Sequence, residues 1–350
     1  MLKIMKGSNE WEDCLKKFSN HVFWKYRYYL LYKDEGVPEA VYYEDDRGIV
    51  FYPYLKRKIN LNELGLNRSE SFFDITTAYG FGGPLIDCRD NRDSEALFAA
   101  FRVEFDRYCQ DSQIVSEFIR FQPFIVDKEI MDKFIDIDVK NMNLYVELDA
   151  ELSSDDYLKT YKSTNRNRIK KAMNHGVEIV IDEEKKFLDE FIHIYKHTMD
   201  RNHANEFYYF NEDYFRELIE YLHSNCVLAH AVHDHNIIST ELLLFDESCV
   251  YFYLGGTLSD YFNLCPNNLL KHHIILWAKE KGISRYLLGG GYKANDGVYQ
   301  YKKSFAPKHE IEFLVGKKIH NPSMYSLLCT HAVNLNPSLN TDYFPLYRAN

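Results

Sequence analysis

From Tyr157 to Val177 the chain carries six basic residues and no acidic one, although its formal net charge is −10. Lys159, Lys162, Arg166 and Lys170 follow one another at spacings of three, four and four, so a helix puts them on one face. Arg168 and Lys171 flank that face. A concentrated basic face suits the phosphates of a nucleotide-linked substrate or of tRNA. A solvated linker helix is the other reading. Arg120 lies between Phe118 and Phe121 in FIRFQPF. A buried guanidinium without a partner is expensive, so Arg120 is expected to meet a buried carboxylate or an anionic ligand. His230, His233, His235 and the pair His272–His273 raise the question of zinc. A metal needs three or four converging ligands; His233 and His235 fall in a hairpin turn, and adjacent histidines on a helix diverge. No metal site is expected, and nothing around Cys265 marks it as a nucleophile.

These residues must be held by regular elements. Apolar positions at three and four predict helices over 11–18 and 23–32. AVYYE and IVFYPYL, separated by Asp45-Asp46-Arg47-Gly48, predict a hairpin. FFDITTAY is a third strand running into Gly80-Phe81-Gly82-Gly83-Pro84. A long helix from Ser94 to Cys109, a strand over 115–121, a short helix over 128–134 and paired strands over 135–148 complete the first half. The second half repeats the order. GVEIVID is a strand, 186–200 and 212–224 are amphipathic helices, and VLAHAV with IISTELLLF forms a hairpin. CVYFYL is a strand ending in Gly255-Gly256, followed by a helix over 267–281 closed by Gly282. RYLLGGG, a short helix over 298–305 and EIEFLVGKKI close it. Repetition of element order predicts two copies of one α/β unit, 1–150 and 151–317. The tail 318–350 shows no clear register and is expected to pack on the first unit.

The bulk numbers agree with a soluble chain of about two domains: 350 residues, 46% hydrophobic and 27% charged. No apolar run approaches the roughly 20 residues of a membrane span. The N-terminus lacks the apolar segment of a signal peptide, which points to a cytoplasmic protein. The pI near 5.8 argues against a general nucleic-acid coat. Seven cysteines without a CxxC argue against a disulfide framework and fit a reducing compartment.

Three segments carry a family resemblance. SxxRNRIKKA (Ser163 to Ala172) precedes Gly176-Val177. YFYLGGT (Tyr251 to Thr257) is followed by Pro266, NLLKHHIILWAKEKGI and RYLLGGG. GVYQYKKSFAP (Gly297 to Pro307) reads like a Phe-Lys-x-x-Phe-Gly segment, with Tyr301-Lys302 and Phe305-Ala306 in its paired positions. Together with the element order of residues 176–315, these resemble the GNAT acyltransferase fold. In tandem they resemble the FemABX group of peptidoglycan bridge-forming aminoacyltransferases and their relatives. AYGFGGPL and FIRFQPF are similar to a shorter branch that has no coiled-coil arm. Two residues depart from the pattern, Tyr301 for Phe and Ala306 for Gly, and the second raises the question of a positive φ after Phe305.

The resemblance implies two tandem GNAT-like units with the acyl-transfer site in the second. It implies that Lys302, with Tyr301 beside it, neutralises charge developing on the acyl carbonyl. Gly255 and Gly256 would border the donor carbonyl, with Gly82-Gly83 at the matching place in the first unit. Tyr79, Arg120, Arg201, Tyr208, Tyr251 and Tyr253 would line the cleft, and Arg166 and Lys170 would bind substrate. No cofactor would be held permanently. The donor would be an acetyl- or acyl-CoA, or an aminoacyl-tRNA. FNLCPNNLL has no glycine where acetyl-CoA enzymes of the fold hold pyrophosphate, which weakens the first. The acceptor would be an amine of a peptidoglycan precursor or a nucleotide-linked sugar. An amino-sugar N-acetyltransferase of polysaccharide synthesis, or a catalytically silent module that binds an envelope precursor, are the alternatives.

Overall fold

The computed structural model describes residues 1–291, 293 and 295–349. It divides into two compact units, Met1–Lys140 with Phe313–Asn350, and Asn141–Glu312. The division thus falls at Lys140, where the repeated element order suggested a break near 150.

The first unit runs β1 (Leu2–Met5), α1 (Ser8–Leu15), α2 (Tyr26–Leu30), β2 (Val37–Asp45), β3 (Gly48–Lys58), β4 (Phe73–Thr76), β5 (Leu85–Cys88), α3 (Ser94–Asp111), β6 (Ile114–Arg120) and α4 (Lys128–Met131). The strand β7 (Asp136–Glu147) carries the chain onward. The second unit continues with α5 (Ser154–Thr160), α6 (Ser163–Asn174), β8 (Glu178–Asp182), α7 (Leu188–Arg201), α8 (Glu212–Tyr221), β9 (Cys226–His233), β10 (Asn236–Phe245), β11 (Cys249–Thr257), α9 (Pro266–Glu280), β12 (Arg285–Gly289) and α10 (Gly297–Lys303). The strand β13 (Glu310–Ile319) returns to the first unit, where α11 (Pro322–Leu335) follows.

The strands of each unit follow the same design. In the first the order is β1-β2-β3-β4-β6-β13, with β5 on β3; in the second it is β8-β9-β10-β11-β12-β7. Neighbours are antiparallel except β4 with β6 and β11 with β12. The sixth strand of each set is therefore supplied from the other half of the chain. Lys317 pairs with Phe118 in the first unit, and Tyr145 pairs with Leu287 in the second.

The cores follow from patterning. In the first unit Leu97, Phe98, Phe101 and Phe105 of α3 cover Tyr52, Tyr54 and Ile119. In the second, α9 is buried on nearly every side against Val250, Tyr286 and Leu288. Four elements escaped the sequence reading, one of them the helix α5, which Ser153 caps by accepting from Asp156 N. The strands β1 and β5 are four residues each, too short to show a period. The helix α11 is largely apolar and hides its face, although Asn321 caps it by accepting from Met324 N and Pro322 opens it. The expected pair of strands over 135–148 is the single strand β7, which no Gly or Pro interrupts.

Asp74, fully buried, fastens the tail of the first unit. It accepts from Arg57 Nε at 2.6 Å, Arg348 Nε at 2.5 Å and the Tyr347 hydroxyl at 3.2 Å. Removing one partner of a buried ion pair leaves uncompensated charge. Because both guanidinium groups keep some solvent contact, Asp74→Asn is expected to lower the unfolding free energy by about 2–3 kcal/mol, read from urea denaturation.

Candidate active site

The parallel pair β11 and β12 is joined only over Cys249–Tyr251 against Arg285–Leu287. Beyond Tyr251 the ladder stops, although β11 continues to Thr257 and β12 to Gly289. On its other edge β11 carries a bulge: Leu242 faces Leu254 and Leu243 faces Phe252, which leaves Tyr253 as the extra residue. The result is a splay between two parallel strands, open at their C-terminal ends.

Helix α7 fixes the β11 side of the splay. Gly256 has no room for a side chain, since a Cβ there would lie 2.5 Å from Thr198 Oγ1 and 2.8 Å from Ile194 O. Thr257 N donates to Thr198 Oγ1, and Arg201 donates to Thr257 O at 2.8 Å. Arg201 also lies over the exposed ring of Phe262. Tyr253 is buried with its hydroxyl 2.5 Å from that of Tyr214, which stacks on Phe210. Tyr208 is placed by its carbonyl, which accepts from Tyr195.

Lys302 occupies the β12 side. Its Nζ donates to Gly290 O at 2.7 Å and lies 5.3 Å from the centre of the Phe252 ring. It is only 8% exposed. Burial first, then the neighbouring Lys271 ammonium, bring it down from the usual lysine range to about 7, against the pull of Glu241 and Asp296. Gly289 permits this approach: it has a positive φ, and a Cβ there would lie 3.3 Å from Nζ. Tyr301 has different partners. Its hydroxyl donates to Asn267 O at the start of α9, and its ring packs edge-on against Phe305. Ala306 does not adopt a positive φ, so the missing glycine imposes no strain.

Sequence reasoning missed the groups beneath Lys302. Lys271 of α9 is buried, with Nζ 2.9 Å from Glu241 Oε2 and 3.2 Å from the Tyr286 hydroxyl. The Tyr286 hydroxyl itself donates to Glu241 Oε2 at 3.1 Å. Glu241 pairs with Gly255 across β10 and β11, and a Cβ on Gly255 would lie 3.2 Å from both Glu241 Cγ and the Phe252 ring. The signal was present, because Lys271 and Glu241 are single charges inside apolar runs.

The four basic residues expected on one helical face are split by a break at Tyr161–Lys162, where the backbone is extended: Lys159 lies on α5, Lys162 caps α6, and only Arg166 and Lys170 lie on α6. Arg166 Nη1 donates to Tyr161 O at 2.8 Å and to Lys159 O at 3.3 Å, while Lys170 is exposed. Arg166, Lys170 and Lys159, with Asp155 and Leu158, line a hollow of about 470 Å³ within the second unit. The histidines go separate ways. His230 Nδ1 lies 2.9 Å from Thr240 Oγ1, and His272 is held between Ser154 and Tyr161; burial lowers both rings to about 4. Among the described residues no group of three or more His, Cys, Asp or Glu is arranged to hold a metal ion.

The first unit closes the corresponding gap. After Thr76 faces Phe118, the chain folds back so that Gly82 N donates to Arg120 O at 2.7 Å and Gln122 N donates to Gly82 O. A Cβ on Gly82 would lie 2.7 Å from Thr77 Cγ2, and one on Gly83 2.9 Å from the Phe121 ring. Arg120 lies over Phe118 and donates to Thr77 O, and burial lowers its pKa. Tyr79 accepts from the Tyr28 hydroxyl at its carbonyl.

Residues 159–303, which contain the splay, match the model of the acetyltransferase (GNAT) domain. Among solved structures, that of FemX matches with a TM-score of 0.69 and 14% identity, covering 93% of this chain and 99% of its own. A conserved protein of unknown function from Bacteroides thetaiotaomicron VPI-5482 matches with a TM-score of 0.56 and 9% identity, covering 91% of this chain and 100% of its own. No curated protein matches. The domain match is confined to residues 159–303, and the likeness to the solved structures is one of fold. The FemX fold accounts for the chain almost end to end.

Gly256→Ala tests the geometry of the splay. Forcing a methyl group against Thr198 and the Ile194 carbonyl is expected to cost about 1–3 kcal/mol in urea denaturation. An unchanged midpoint would mean that α7 does not fix the β11 edge.

Proposed function

We propose that the protein transfers an acyl or aminoacyl group to an amine of a cell-envelope precursor, at the splay of the second unit. The amine attacks the activated carbonyl directly, with no covalent enzyme intermediate. The observation that carries the reading is Lys302, a buried lysine held at the open end of two separated parallel strands. A donor carbonyl seated in that gap can complete the broken ladder, and its oxygen then faces the Lys302 ammonium as charge develops. Binding supplies orientation as well, since both reactants are held beside one fixed group.

The family model supports an acyl-CoA donor. The start of α9 supports the aminoacyl ester, because Pro266 has no N–H and Asn268 N already bonds Cys265 O. The resemblance to the FemABX group supports an envelope precursor as acceptor, with Arg166 and Lys170 available to its phosphates. Acetyl-CoA, a nucleotide-linked sugar and charged tRNA can be compared by thermal shift. A ligand of the native state at a hundredfold excess over its dissociation constant adds about 2.7 kcal/mol. Among the described residues no helix is long and apolar enough to cross a membrane.

Lys302→Ala is expected to reduce turnover by a factor of about 10² to 10³ while the protein stays folded by circular dichroism. Lys303 pairs with Glu310, and Lys303→Ala is expected to be close to neutral. Equal losses in both variants, or none in Lys302→Ala, would favour the silent binding module.

A further inference from the structure

Two lysines are buried against the same aromatic ring. Lys271 Nζ lies 4.6 Å and Lys302 Nζ 5.3 Å from the centre of Phe252. Of the two, only Lys271 is paired with a carboxylate among the described residues. Lys271 is tied to Glu241 and Tyr286, whereas the hydrogen bond recorded for Lys302 is to the Gly290 carbonyl. Two ammonium groups in one apolar pocket repel, and the one without a carboxylate gives up its proton first.

We propose that Lys271, fixed by Glu241 and Tyr286, is a positioning residue that governs the charge on Lys302, so that Lys302 enters the reaction neutral and becomes charged by taking the acceptor's proton. This rests on the acyl-transfer reading and deepens it. The acceptor arrives as an ammonium and gives one proton to Lys302 Nζ. The freed nitrogen lone pair forms the N–C bond, and the carbonyl electrons move onto oxygen. Collapse of that oxyanion breaks the bond to the thiol or hydroxyl leaving group, which takes the second proton from nitrogen. Lys302 then returns its proton to solvent. The cation facing the oxyanion is thus created by the same transfer that creates the nucleophile.

The groups around Lys302 support this balance. Helix α9 contributes Lys271, β10 contributes Glu241, β12 contributes Tyr286, and its own segment contributes Asp296 and Tyr301. Burial holds both tyrosines far above the usual phenol range, so they remain neutral. Burial is also the main cause that brings Lys302 to about 7, with Lys271 next.

The sign of the pH dependence follows. An ordinary lysine titrates near 10.5 when the chain is unfolded, and Lys302 near 7 when folded. Between these values the unfolded state binds more protons, so stability rises with pH across that window; below about 7 the full penalty of the buried charge is present. Melting against pH needs no substrate. Lys302→Met should remove the part of the rise that begins near pH 7, leaving the contribution of the buried Lys271. Lys271→Met leaves Glu241 facing Lys302 and should move its onset up by about one pH unit or more. Glu241→Gln leaves Lys271 unopposed and should move it down. Lys271→Arg keeps the charge and should leave it in place. Opposite shifts from the two charge-removing variants cannot come from general loosening of the core.

The rising limb of kcat/KM against pH, measured with the donor that the thermal shifts select, should move in the same directions. Unchanged melting profiles in Lys271→Met and Glu241→Gln, or shifts of the same sign, would overturn the proposal whatever the activity. Shifted melting profiles without acyl transfer would retain the coupling of the two lysines and reject the acyl-transfer reading.

Discussion

When two parallel strands part inside a protein, each is left with backbone donors and acceptors that no longer have a ladder partner. Such groups are costly to bury unless something else satisfies them. The second unit depends on how this demand is met between β11 and β12. Gly290 O accepts from Lys302, and Thr257 O accepts from Arg201. A side-chain hydroxyl, Thr198 Oγ1, receives Thr257 N. Long side chains thus replace backbone at the edges of the opening, and two of them are cationic. The same constraint accounts for Gly255 and Gly256, because helix and strand crowd the backbone where the ladder fails.

The first unit meets the same demand with backbone. Its chain turns back at Gly82, bonds to Arg120 and Gln122, and restores a parallel bridge to Phe121. Two sets of strands of one design therefore differ at the position where the proposed chemistry lies. One gap is filled by its own loop and the other by lysine and arginine side chains. Repetition of a fold does not repeat a site, since the site lies in how the open edges are satisfied.

Much of the architecture was legible because it is written in periods and punctuation. Asn236 opens β10 straight after the His233–Asn236 turn, Gly282 closes α9, and the element order of residues 176–315 appears as expected. What stayed hidden had no such signal. A four-residue strand such as β1 is defined by the hairpin it joins, and α11 is apolar on too many sides to show a face. At the site, Lys302 stood out through its motif. Lys271 and Glu241 did not, because their meaning lies in their contact across the sheet. A single charge inside IISTELLLF and another inside NLLKHHIILW do announce that each must find a partner. Which partner, and that the Phe252 ring is shared, depends on the register of β10 against β11 and on the placing of α9 over them. Arg120 rests on a Phe ring and a backbone carbonyl, and Glu35 is the carboxylate whose charge acts on it.

The exchange of sixth strands affects how the protein is made. When synthesis has passed Lys140, the first unit still lacks the strand that covers β6, and that strand ends at Ile319. At a translation rate of roughly 5–20 residues per second, β6 waits on the order of ten seconds or more with an open edge. An exposed parallel-sheet edge is a template for wrong pairing. The second unit has its borrowed strand β7 in hand before any of its other strands emerge, so the half carrying the buried lysines can complete its sheet first. The nascent chain can thus pair the strands of its later half before those of its earlier one, which wait for β13.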